Sequence, residues 1–261
     1  TIVPRDYQLD AIFHAIKHKG ALLISPTASG KSLIIYLLIR YFLLHSNKDV
    51  LLVVPTTSLV RQMFTDFKDY SEFDGGFDCD ELCHMIYSGQ DKYAKNRIII
   101  STWQSIYKQQ TKYFARFGMV IGDEAHNFKA KSLSTILSRC KEAVFRYGTT
   151  GTLDGSGVHK LVLEGGFGLA YHVTSTKKLM DSGDLADLKI NMLLLKYPDD
   201  VCRVVCKLDY QAEVDFIVKN EKRNKFISKL ALDQEGNTLV LFQFVGKHGK
   251  PLYDLIKAAA H

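Results

Sequence analysis

Two short stretches carry residue types whose spacing suits chemistry on a phosphate. The first, "ALLISPTASGKS" at residues 21–32, is an apolar run that enters a turn of small residues and ends in Gly30-Lys31-Ser32. In a phosphate loop, backbone N–H groups and a Lys surround the phosphates while a Ser or Thr hydroxyl holds magnesium. Thr27, Ala28, Ser29, Gly30, Lys31 and Ser32 are therefore candidate nucleotide-binding residues, with Lys31 neutralising charge and Ser32 on the metal. The pattern departs at two places: Ser25 stands where a glycine is expected and Ala28 where a second is common. The other stretch, "GMVIGDEAH" at 118–126, ends an apolar run in Asp123 and Glu124. Hydrolysis of a nucleoside triphosphate needs one carboxylate to hold magnesium and another to orient the attacking water. Asp123 suits the first role, Glu124 the second, and His126 a coupling role toward the next element. Each stretch alone has a bland reading, a chance loop sequence or a solvated strand end; together they point to one chemistry.

These residues need a frame that brings them to one place. Short β-rich runs alternate with amphipathic stretches, the pattern of a parallel sheet with helices on both faces. The candidate strands are Ala21–Ser25, Asp49–Val54, Leu82–Tyr87, Arg97–Ser101, Met119–Asp123, Ala143–Gly148 and Leu169–Val173. Most are nearly continuous apolar runs, as strands buried on both faces must be. Between them, Ser32–His45, Ser58–Tyr70, Thr102–Gln109 and Leu133–Lys141 have helical length or spacing. A change follows near residue 184. There the sequence predicts a strand over Lys189–Tyr197, a turn at Pro198-Asp199-Asp200, a charged helical region over Tyr210–Leu232, a strand over Asn237–Phe244 and a helix over Lys250–Ala260. The expected division is thus 1–184 for a nucleotide-binding domain and 185–261 for the start of a second.

Composition narrows the classes. Of 261 residues, 46% are hydrophobic and 24% charged, and no apolar run reaches the roughly 18 residues a membrane span needs. Thr1 leads straight into Pro4-Arg5-Asp6 without the basic and apolar regions of a secretory signal, which argues against export and leaves the cytoplasm as the default compartment. Five scattered cysteines fit reduced thiols better than a disulfide frame or a zinc site. The net charge of +6 is a mild pointer to a polyanionic partner.

With Gly30-Lys31-Ser32, "DEAH" at 123–126 and "TGT" at Thr150, Gly151 and Thr152, the chain resembles the superfamily 2 helicases in their motifs I, II and III. "RDYQLDAI" at 5–12 looks like the adenine-reading segment of that family, with Arg5 and Gln8 as its readers; Gln offers a purine edge both a donor and an acceptor. "VVPTTSLVRQ" at 53–62 resembles motif Ia, "STWQSIYK" at 101–108 the strand-binding motif after it, and "TLVLFQFVGKHGKPLYDLI" at 238–256 the opening of the second helicase domain. "VPTTSLVRQM..DF.DY", "TWQS", "LMDSGDLADLKIN", "RNKFI.KLA" and the "KHGK" helix are similar more narrowly to the UvsW recombination helicases of T-even-like bacteriophages. The resemblance implies RecA-like domains, ATP and Mg2+ as cofactors, and single-stranded or branched DNA as partner. An RNA–DNA hybrid or RNA substrate is the near alternative, and a phosphate-loop kinase or nucleotide-gated binding module the alternative from another class. No membrane and no stable protein partner is expected, and a phage origin would place the protein in the host cytoplasm.

The candidate strand-contacting residues are Pro55, Thr56, Thr57, Arg61, Ser101, Thr102, Trp103 and Gln104, joined by Phe244 and His248 in the second part. Short hydroxyls and free N–H groups at strand ends can hold backbone phosphates without reading bases, although Thr57, Ser58 and Thr102 are also good helix caps. Trp103 can pack or stack. The resemblance further implies a late motif with paired arginines, and none follows Ala260. Residues 1–261 are therefore expected to bind nucleotide but hydrolyse it barely and not to unwind duplexes, with the intact chain continuing for about 100 residues or more.

Overall fold

The computed structural model of the protein describes residues 2–72, 75–87, 89–127, 130–153 and 157–259, with side chains left aside at 130–131 and 157–159. The chain divides into two compact units, Thr1–Asp187 and Leu188–His261.

The first unit is built on seven strands: β1 Gly20–Ile24, β2 Asp49–Val54, β3 Cys83–Ile86, β4 Ile98–Thr102, β5 Phe117–Gly122, β6 Phe145–Thr150 and β7 Ala170–His172. They lie in the order β3-β4-β2-β5-β6-β1-β7, and every pairing is parallel. Successive side chains of a strand point to opposite faces, and the apolar runs are divided accordingly. Leu23, Leu52, Val54, Ile98, Ile100, Met119 and Ile121 enter one core, while Leu22, Leu51, Val53, Ile99 and Val120 enter the other. This is why the strands read as unbroken hydrophobic stretches rather than alternating ones. Helices α1 Asp6–His18, α2 Lys31–His45 and α3 Thr57–Ser71 cover the first face. In α3 the buried Val60, Met63 and Phe67 form one stripe, spaced as a helix with one covered face requires. The second face is closed by helical segments bearing Ile106, Phe114, Leu133, Ile136, Leu137, Leu163 and Phe167. This is the α/β, RecA-like parallel sheet expected from the sequence, and its parallel strands bring every carboxyl end to one edge.

Each strand expected in this unit is present, Asp49–Val54 with the same bounds and the others shifted by one or two residues. The helix expected over Thr102–Gln109 is shorter, Trp103–Ile106, and is followed by a second short one at Thr111–Phe114. The second unit departs further. Neither Lys189–Tyr197 nor Asn237–Phe244 forms a strand. A strand exists only through a ladder with a partner, and no described residue of this unit pairs with either segment. Their apolar side chains consequently face outward, with Met192 87% and Leu241 82% exposed. The unit is instead helical: Asp199–Val205, where a turn was expected, then Tyr210–Lys219, Glu221–Leu232 and Lys250–Ala259. The helical region expected over Tyr210–Leu232 is broken at Asn220, whose side chain accepts from the Arg223 backbone N–H at 2.9 Å and caps the following helix. Ala260, the last residue of the expected final helix, lies outside the described residues. Among the described residues no helix is long and apolar enough to cross a membrane.

Candidate functional site

The turn between β1 and α2 shows how the loop works without two of its expected glycines. Ser25 is buried, and its Oγ lies 2.6 Å from Ser29 Oγ, which itself donates to the Pro26 carbonyl at 2.6 Å. Ser29's proton being committed, Ser25 is the donor, so the hydroxyl that replaces a glycine is absorbed as an internal tie. Ala28 has φ 63° and Gly30 φ 73°; both are left-handed, the conformation that favours glycine. At Gly30 there is no alternative to glycine without movement, since a Cβ would stand 2.4 Å from Gln8 Nε2. Thr27 is exposed at the tip.

Gln8 is buried against this loop. Its Nε2 donates to the Ser29 carbonyl at 3.0 Å while its Oε1 accepts from Arg5 N at 2.9 Å. The Tyr7 hydroxyl donates to the same Ser29 carbonyl at 3.2 Å. Arg5 donates to Tyr7 Oη at 2.9 Å and pairs with Asp184 at 3.0 Å. The two residues expected to read adenine thus brace the loop and the start of α1, with Gln8 Nε2 also donating to the Gly30 carbonyl at 3.5 Å and its Oε1 keeping one lone pair uncommitted.

A cavity of about 290 Å³ at the carboxyl ends of β1 and β5 brings together Thr27, Ala28, Gly30, Lys31, Ser32, Asp123 and Glu124, with Asp66 of α3 on its wall. Lys31 Nζ stands 3.1 Å from Glu124 Oε1 and 3.4 Å from the Ser25 carbonyl. A Cβ on Gly151 would lie 3.8 Å from that ammonium, an ordinary contact, so Gly151 borders the ammonium without its space demanding a glycine. Glu124 has φ 48°, a strained value of the kind that clusters at working sites. Asp123 is 4% exposed and accepts from the Thr149 hydroxyl. Burial pushes its carboxyl above the usual range, the Thr149 hydrogen bond opposing. Asp66 is likewise raised by burial, opposed by the Ser32 hydroxyl. The remaining bond of Ser32 is to Tyr70, whose Oη is 2.8 Å away. Asp123 and Ser32 are hard oxygen donors on one cavity wall beside a cation, a set that fits magnesium shared with phosphate.

His126 Nδ1 is 2.7 Å from Thr150 Oγ1. Thr150 spends its own proton on the Thr152 carbonyl at 2.7 Å, so His126 carries its hydrogen on Nδ1. The structure therefore joins β5's end to β6's end through His126, Thr150 and Thr152.

A groove of about 620 Å³ opens at the carboxyl ends of β2 and β4, lined by Pro55, Thr56, Thr57, Thr102 and Gln104 together with Tyr87, Gly89, Lys92 and Ser105. Thr56 is the N-cap of α3, accepting from Leu59 N at 3.3 Å; Thr102 Oγ1 is 2.9 Å from Ser105 Oγ. Arg61 lies over the Tyr87 ring, 5.2 Å from its centre. Two expected contact residues face elsewhere. Ser101 is fully buried and donates to the Thr102 carbonyl, and Trp103 is half-buried beside Tyr107. In the second unit, His248 is buried, its Nε2 3.0 Å from Arg223 Nη1; burial, then Arg223, lowers its pKa. Phe244 there has the Lys247 ammonium 5.9 Å from its ring. Sequence reasoning missed Tyr87, Lys92, Ser105, Asp66 and Tyr70. Ser105 lay within "TWQS" and Asp66 and Tyr70 within "DF.DY", unassigned; Lys92 had no signal beyond a small polar loop.

Residues 1–155 match the family described as "Type III restriction enzyme, res subunit". The chain is 37% identical over 263 aligned residues to the ATP-dependent DNA helicase uvsW of Enterobacteria phage T4, covering 98% of this chain and 51% of that protein. It is 27% identical over 158 residues to the DNA 3'-5' translocase XPB2 of Sulfurisphaera tokodaii, covering 60% of this chain and 33% of that one. The crystal structure of T4 UvsW superposes with a TM-score of 0.60 at 35% identity, covering 98% of this chain and 50% of the other. The chain spans about half or less of the curated relatives it matches.

Proposed function

The chain belongs to the superfamily 2 helicases, and from that premise we propose that it is the nucleotide-binding part of an ATP-dependent DNA helicase or translocase. The observation that carries this reading is that a single sheet edge holds both sites. Val53, two residues before the groove's Pro55, accepts at its carbonyl from the backbone N–H of Asp123 at 2.9 Å. Lys31 meets the β- and γ-phosphates, and the N–H groups opening α2 aim at the same point, where the positive end of the helix favours an anion. Asp123 and Ser32 would hold the magnesium, which when bound would neutralise charge on the phosphate oxygens. Glu124 orients the attacking water, and His126 with Thr150 ties that end of β5 to Thr150-Gly151-Thr152. The groove grips backbone phosphates with hydroxyls and Lys92 and reads no base. The likeness to the T4 helicase over 98% of this chain supports residues 185–261 as the start of a second RecA-like domain, although its two expected strands have no ladder among the described residues. Likeness to the T4 helicase supports remodelling of branched recombination or replication intermediates as the substrate class.

The test is binding of a fluorescent ATP analogue and of single-stranded DNA. Lys31→Ala is expected to lower nucleotide affinity at least ten-fold, since each charge-assisted phosphate contact is worth about 1.5–3 kcal/mol. DNA affinity is expected to fall with salt and to vary little with sequence. Unchanged nucleotide affinity in Lys31→Ala, or a sequence preference that survives high salt, overturns the reading. Forked, four-way and plain duplex DNA compared with the full-length protein test the substrate class.

A further inference from the structure

Ser32 Oγ is the one expected magnesium ligand whose hydroxyl proton must be placed. A serine hydroxyl has one proton and two lone pairs, and a cation is met by a lone pair, so the proton has to be accepted by something outside the metal site. Two acceptors stand there, both from α3. Tyr70 Oη is 2.8 Å from Ser32 Oγ, and Asp66 lines the same cavity as Ser32, whose hydroxyl opposes the rise that burial gives the Asp66 carboxyl. Tyr70 is held in place by packing: its half-buried ring meets Tyr36 of α2 edge-on, with centres 5.5 Å apart. The helix that begins with Ser32's turn and the helix that bears Tyr70 are thus locked together beside the hydroxyl. Asp66 and Tyr70 both lie in the "DF.DY" stretch, to which no role is given above.

We propose that Tyr70 and Asp66 are positioning residues that hold the Ser32 hydroxyl between them, one of the two taking its single proton, and so turn a Ser32 lone pair toward magnesium. The inference rests on the nucleotide-site reading. It predicts that the hydroxyl of Tyr70 matters only when the metal is bound, because without it Ser32 has no fixed direction to keep.

The test measures affinity for a fluorescent ATP analogue with Mg2+ and with EDTA, in the unsubstituted protein, Tyr70→Phe, Asp66→Asn and Lys31→Ala. Tyr70→Phe keeps the ring against Tyr36 and removes only the hydroxyl. It is expected to reduce the ratio of Mg2+ to EDTA affinity about three- to ten-fold, the worth of one hydrogen bond, with the EDTA affinity unchanged. Asp66→Asn is expected to shift the ratio in the same direction. A ratio unmoved in Tyr70→Phe, or an equal loss with and without metal, overturns the inference alone, provided Lys31→Ala weakens binding. If Lys31→Ala binds as tightly as the unsubstituted protein, the nucleotide-site reading falls and this inference with it.

Discussion

At the β1, β5 and β6 end of the sheet's carboxyl edge the polar groups are buried and spent on one another; at the β2 and β4 end several are left facing out, although Thr102 is buried against Ser105. Ser25, Ser29, Gln8, Asp123, Thr149 and Thr150 are all buried, and each has a protein partner. Thr56, Thr57 and Gln104 are exposed. The difference follows from what each end would hold. A triphosphate is small and of fixed shape, so its donors gain from being aimed and locked before it arrives. A nucleic-acid strand of any sequence offers a repeating backbone, and open hydroxyls that accept several registers suffice. The two ends are not isolated, because α3 begins at Thr57 in the groove and ends at Ser71, next to Tyr70 on Ser32. Its 15 residues span about 22 Å at 1.5 Å per residue.

The comparison breaks most visibly at the locked end. Gly30→Ala places a Cβ 2.4 Å from Gln8 Nε2 at a φ of 73°, and a left-handed non-glycine residue costs about 1–2 kcal/mol before any clash is counted. Stability is expected to fall by about 2 kcal/mol and nucleotide affinity by more than ten-fold, while single-stranded DNA affinity stays within about two-fold. Thermal melting and the two binding titrations check this. Loss of DNA binding in a protein that still melts cooperatively would show that the two ends are not separately built.

The locked end was also the more legible one. Lys31, Ser32, Asp123 and Glu124 declared themselves through apolar strands that end in charge, because a parallel strand buried on both faces leaves its chemistry only at its carboxyl end. The seven strands were readable for the same reason. Tyr70 and Asp66 were not, since what makes them matter is a contact across 38 and 34 positions that no local spacing encodes. Ser101 and Trp103 sit at the right strand end, but the alternation of faces sends the Ser101 side chain inward, and that depends on the register of β4 against β2 and β3. In the second unit Lys189–Tyr197 and Asn237–Phe244 have strand composition without a ladder. Propensity for β structure is mostly packing against neighbours, so composition alone could not decide it.

The open end sharpens the comparison through two adjacent threonines. Thr56 caps α3, so Thr56→Ala is expected to cost about 1 kcal/mol of stability. Thr57 lines the same groove, and no cap bond depends on its side chain. Thr57→Ala is expected to leave the melting temperature unchanged and to lower single-stranded DNA affinity several-fold, about 1 kcal/mol. Equal melting losses in both variants would assign the pair to capping rather than to the groove.

The smallest expected effect lies at Ala28, where the locked end carries strain that its hydrogen bonds do not relieve. Its φ of 63° puts a Cβ close to the following carbonyl, and glycine reaches that region without the penalty. Ala28 is exposed at the loop's tip, so losing its methyl removes no packed surface. Against the gain stands the greater freedom of glycine in the unfolded chain, worth up to about 1 kcal/mol in the other direction. The left-handed penalty of about 1–2 kcal/mol is the larger of the two, so Ala28→Gly is expected to stabilise the first unit by about 0.5–1 kcal/mol. For a domain of this size that raises the melting temperature by about 1–4 °C. Nucleotide affinity is expected to stay within two-fold, because Ser25, Ser29 and Gln8 fix the loop through bonds that do not involve Ala28. A lower melting temperature would mean that the alanine was limiting the unfolded chain more than it strains the fold. A large fall in affinity at unchanged stability would mean that the strain itself aims the loop's N–H groups, and that the locked end depends on its backbone as much as on its hydrogen bonds.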